Sequence, residues 1–224
     1  MATSVDICNL ALANLGEAAD ITSIDPVDEH PHSERCAQFF PLAVNLLLEQ
    51  HDWRFAMRQE QLTAFSECDR ENWEYRYAVP SECLRIIDVR FPGLPDIEPA
   101  MIRGYQDYEV AISDDGTLCI YTNIGNAVCR YIKRVDTRAF PASFVTALSW
   151  KLSSMLAGAI IRGTEGAKMV QSCEQMYMLT LDQAKGLDAK QSRKYEEAIP
   201  PWIRVRTDTS LDPFSRETQY GDTE

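Results

Sequence analysis

The sequence predicts an α+β protein, mainly α: a four-helix bundle with an antiparallel β region inserted between the two helix pairs, plus an extended C-terminal arm. Three observations lead there. Apolar residues recur at helical spacing before Trp53 and again after Pro141. Between those stretches, short β-branched and aromatic runs are bounded by turn residues. Beyond Pro200-Pro201 the chain turns polar and proline-punctuated, as an arm does. The expected divisions are 1–52 and 139–199 for the helical bundle, 53–138 for the β region and 200–224 for the arm.

The first helix opens on Thr3 and Asp6, which have the spacing of a capping box. Ile7, Leu10, Ala11, Asn14 and Leu15 mark its stripe, and Gly16 is the expected stop. An acidic loop, Asp25 to Pro31, follows. Ser33 is placed to cap a second helix through Cys36, Phe39, Phe40, Ala43, Leu46, Leu47 and Gln50; Pro41 inside it predicts a kink or a late start.

The middle reads as an antiparallel meander. Tyr75 to Val79, Cys83 to Val89, Tyr108 to Ser113, Thr117 to Thr122 and Ala127 to Val135 are the expected strands. Asp114-Asp115-Gly116 is a hairpin signal. A four-residue loop at Asn123 to Asn126 would set Cys119 opposite Arg130 and Cys129 opposite Ile120, with the two thiols on opposite faces. Pro141 then suits the first position of a third helix, whose buried stripe is Phe144, Leu148, Leu152, Met155, Leu156 and Ala159. Thr164 begins a long fourth helix carrying Met169, Val170, Cys173, Met176, Tyr177, Thr180, Leu181 and Ala184 on one face, where core packing outweighs a partner groove.

Charge and composition narrow the function. With 22 basic and 34 acidic residues the net charge is −12, which opposes binding to phosphate backbones. No apolar run approaches the ~18 residues of a membrane span. Met1 to Asp6 lacks the basic start and apolar stretch of a signal peptide, so a cytosolic product is expected. Seven widely spaced cysteines without a CxxC point to core residues, with neither a disulfide framework nor a zinc site.

The search for chemistry finds little. His30-Pro31-His32 lacks further metal ligands nearby, and His51-Asp52 are adjacent and so badly placed to face each other. Asp114-Asp115-Gly116 lacks the rest of a calcium loop. Glu196-Glu197 sits in a charged helix end. No GxSxG, HExxH, Walker A or GxGxxG motif occurs. No catalytic, cofactor-binding or metal residue is therefore assigned.

The arm is different. Trp202, Ile203, Arg204, Val205, Arg206 and Phe214 combine apolar anchors with cations in a segment too short to bury itself. That pattern predicts an assembly element with Trp202 as the aromatic anchor.

The order of segments resembles the tail tubular protein A family, the head-to-tail adaptors of short-tailed bacteriophages. The resemblance is carried by ICNLALANLGE, by ERCAQFFPLAVNLLLEQHDWRFA, by YRYAVPSECLRIIDV, and by VCRYIKRVDTRAFPASFVTALSWKLSSMLAGAI with the helix ending in DQAKGLDAKQ. It spans roughly residues 4 to 195 and stops short of the arm. It implies a dodecameric ring between the phage portal protein and the tail nozzle protein, with DNA passing through the lumen without specific binding. It also implies residence at the head–tail junction of the virion, assembly in the host cytoplasm, no membrane contact and no cofactor. The competing reading is a small soluble enzyme with a dispersed active site.

Overall fold

A computed structural model describes residues 2–29, 31–93 and 107–191. It is mixed α and β, with four helices and two small antiparallel sheets. Helix α1 runs Ser4–Leu15, and its capping box forms as expected: Asp6 N–H donates to Thr3 Oγ1 at 3.1 Å and Thr3 N–H to Asp6 Oδ2 at 2.8 Å. Gly16 ends it in the left-handed region at φ 77°. The buried face is Ile7, Cys8, Ala11, Leu12 and Leu15, so the stripe is rotated from the expected one and Leu10 is 41% exposed.

Helix α2, Ser33–Glu49, starts early in spite of Pro41 in its interior. Ser33 is its first residue and not its cap; the Ser33 hydroxyl donates to Asp28. Asp28 also accepts the N–H groups of Thr22 (2.6 Å) and Ser23 (3.1 Å), folding the acidic loop around one carboxylate. Asn9 straps the same loop to α1 by exchanging two bonds with the Ile21 backbone, at 2.9 and 3.0 Å.

Six strands follow: β1 Met57–Gln61, β2 Tyr75–Ala78, β3 Cys83–Arg90, β4 Tyr108–Ile112, β5 Leu118–Thr122 and β6 Val128–Lys133. They form two three-stranded sheets, ordered β1-β6-β3 and β2-β5-β4. The meander is therefore corrected. β4 and β5 make the hairpin that Asp-Asp-Gly predicts, with Gly116 at φ 82° and its N–H on Ser113 O at 2.9 Å. β5 and β6 do not pair: the chain leaves one sheet and enters the other. Cys119 faces Ala78 and Ala111, whereas Cys129 lies opposite Glu60 and Val89.

The cause lies in the supposed loop. Ile124 and Ala127 are fully buried, so the segment dives into the core. The Tyr77 hydroxyl holds it there, donating to Ile124 O at 2.7 Å and accepting from Ala127 N–H at 3.3 Å.

Helices α3, Ala142–Ile160, and α4, Gly163–Lys190, close the described chain; Pro141 is the N-cap of α3, one position before that expected. At Gly166 a Cβ would meet Ile161 O at 2.1 Å, so the α3–α4 corner requires glycine there.

Two apolar cores result. The first joins all four helices with Trp53, Ala56 and Ile132; the second lies among Leu62, Tyr77, Val89, Ile120, Cys129 and Tyr131. Sheet β1-β6-β3 belongs to both. On β6, Tyr131 enters the second core and Ile132 the first. On β3 the register shifts twice, and Leu84 and Ile87, the residues passed over, face the helices while Cys83, Ile86 and Val89 face the second core.

Replacing Tyr77 with Phe leaves a buried carbonyl and amide without their shared partner. We expect a loss of about 1–3 kcal/mol of unfolding free energy, read from urea titration, with the α-helical circular dichroism of the native state unchanged.

Candidate assembly surfaces

Among the described residues, the adjacent His51 and Asp52 take different partners. His51 Nε2 lies 3.3 Å from Asp188 Oδ2, and its ring meets Trp53 edge-on at 4.8 Å. Asp52 turns away and pairs with Arg85. Asp188 also accepts the Arg54 N–H at 3.2 and 3.3 Å, so the carboxylate ties the end of α4 to the α2–β1 junction. Among the described residues, the partners of this His–Asp pair are the Arg54 N–H and the Trp53 ring. Its ring and carboxylate are held by Trp53 and by backbone, a structural arrangement. Sequence reasoning missed Asp188, although a carboxylate continuing the buried line Cys173, Tyr177, Leu181, Ala184 was its signal.

His32 sits at the start of α2, 3.8 Å from Glu17. Asp114, Asp115 and Gly116 are the β4–β5 turn. Among the described residues, no group of three or more His, Cys, Asp or Glu is arranged to hold a metal. Likewise, no helix among them is long and apolar enough to cross a membrane. His30, Glu196, Glu197 and the whole arm, with Trp202, Ile203, Arg204, Val205, Arg206 and Phe214, lie outside the described residues.

Two surfaces stand out instead. The first is the outer side of α4, where Met176, Met178, Leu179 and Leu187 are exposed, Met178 at 60%. Helical spacing sets Met176, Leu179 and Leu187 along one line beside the buried face. The expected single Met face is thus split: Cys173, Tyr177, Thr180, Leu181 and Ala184 are buried, and Met176 is not.

The second is the β4 side of sheet β2-β5-β4. β4 is an edge strand whose Val110 and Ile112 are exposed, Ile112 at 66%, beside exposed Leu118. Register places Tyr108, Val110 and Ile112 on one face with Thr122, Ile120 and Leu118. A cavity of about 220 Å³ opens there between the sheets, lined by Val79, Leu84, Tyr108, Val110 and Leu118 among others. Contiguous exposed apolar area of this kind marks interaction sites on soluble proteins.

The opposite face of the same sheet is polar and clamped by the 67–73 loop. Arg70 Nη1 reaches Glu109 at 2.6 Å and lies over the Tyr121 ring at 4.5 Å. Trp73 Nε1 donates to Glu109 at 3.2 Å. Asp69 accepts from the Ser113 hydroxyl and from Asp114 N–H at 3.1 Å. These bonds hold three carboxyls below their ordinary range: Asp69 through Ser113, Glu109 through Arg70, and Asp115 through the Thr117 backbone.

No protein-family model matches the chain, and no curated protein matches it.

A depressed folded-state pKa gives stability that is present above the unfolded value and is lost as pH falls through the folded one. The loop clamp is therefore expected to weaken as pH drops below about 4. Asp69→Asn is expected to flatten the acid limb of the stability curve, measured by urea unfolding from neutral to acid pH. An unchanged acid limb would deny Asp69 this part.

Proposed function

We propose that the chain is a structural head-to-tail adaptor of a bacteriophage, forming a ring that joins the portal to the tail and lets DNA pass through its lumen. The observation that carries this reading is the ordered succession of segments across roughly residues 4 to 195 that resembles the tail tubular protein A family. In that family the ring is dodecameric. On this reading the four helices act as one four-helix bundle, with the β region of residues 53–138 inserted between the helix pairs and residues 200–224 serving as the assembly arm. Its partners are copies of itself, the portal protein and the tail nozzle protein. It acts without catalysis, at the head–tail junction of the virion.

The surface chemistry agrees with such a role. A ring built by rotation alone uses two different patches on each subunit, one for each neighbour. The α4 line and the β4 edge are two apolar patches on different elements. Net charge of −12 on each copy gives a lumen that repels the duplex, so DNA slides without adhering.

The test is electron microscopy of phage particles lacking this protein, before and after the purified chain is added. We expect a ring of rotationally repeated density to appear beneath the portal vertex, and tail attachment to be restored. Particles that remain bare at the vertex would overturn the adaptor reading.

A further inference from the structure

We propose that the open edge of β4 receives residues 202–206 of a second copy as an added strand. This rests on the ring reading above and names the contact that the ring would use. Among the described residues β4 pairs only with β5, so its outer N–H and C=O groups are open to a further strand. The edge is also two-sided. Tyr108 and Val110 border the apolar cavity and Ile112 shares their face, whereas Glu109 stands on the polar face.

The arm matches that edge in length and pattern. Trp202-Ile203-Arg204-Val205-Arg206 is five residues long, as is β4, and from Ile203 to Arg206 apolar and basic residues alternate at the period of a strand. Laid along β4, Ile203 and Val205 fall on the side of Val110 and Ile112. Arg204 and Arg206 fall on the side of Glu109, where exposed Asp107, Asp114 and Asp115 extend the negative charge. A one-residue slip would put the arginines over the cavity, so burial and charge fix the register together. Ten residues, 192–201, lie between Gln191 and Trp202. Fully extended they reach up to roughly 35 Å.

The experiment mixes two full-length chains of different tag. One carries Val110→Cys; the other carries Ile203→Cys, Val205→Cys or, as the opposite-face control, Arg204→Cys. After mild oxidation, disulfide-linked heterodimer is measured on non-reducing gels, with wild-type mixtures giving the background from the native cysteines. We expect the 203 and 205 variants to link at least tenfold more than the 204 control, and Ile112→Asp to abolish the excess. Equal linking by all three, no linking above background, or linking only within one chain would overturn the proposal. Particle microscopy with the wild-type chain separates the two readings. A ring without the specific link sinks strand addition alone, and the specific link without a ring sinks the adaptor reading alone.

Discussion

The fold depends on one sheet being covered on both sides. β1-β6-β3 supplies Ile132, Leu84 and Ile87 to the helical core and Tyr131, Ile86 and Val89 to the second core. An antiparallel sheet with one wet face needs only strict alternation. Here β3 departs from it through two register shifts, which deliver apolar residues to opposite faces from positions a regular strand could not use. Trp53 completes the junction. Its indole donates to Leu47 O at 2.8 Å and its ring meets Phe144 at 5.0 Å, so the α2–β1 turn is fixed against α3. Burial of such a side chain contributes on the order of 2–3 kcal/mol.

Charge is handled by the same economy of placement. The buried carboxylates sit where backbone donors or arginines converge. Asp88 pairs with Arg130 on sheet β1-β6-β3, and Arg90 beside it reaches Gln59. Asp188 closes the end of α4 onto the α2–β1 turn. Removing one member of such a pair is costly because it strands the other in the interior.

Much of this was legible where local chemistry dominates. Thr3, Asp6 and Gly16 bound α1 as their types demand, and Asp114-Asp115-Gly116 turns the one hairpin that forms as expected. The failures share a cause, since each was decided by tertiary burial. Asn123 to Asn126 has the composition of a surface turn, but Ile124 in its middle was the sign that it enters a core. β1, the strand that the resemblance implies after the Trp-Arg-Phe-Ala junction, does form, although Met57 to Gln61 is a mostly exposed polar edge with no alternation to read. In β3, Cys83, Ile86 and Val89 recur every third residue, a spacing foreign to a regular strand and the mark of its register shifts. For the exposed apolar surfaces, the Met-rich face of α4 was visible, but which of its residues face outward was set by how α4 rotates onto α3.

If the shared sheet binds the two cores into one cooperative unit, they must open together. Native-state amide hydrogen exchange tests this most directly. The account predicts that the most protected amides of β5, Cys119 to Thr122, and of α3, Leu148 to Leu156, exchange with the same free energy and the same denaturant dependence. Exchange of the β5 amides through a cheaper opening that leaves α3 protected would show that the second core is a separate unit and contradict the account.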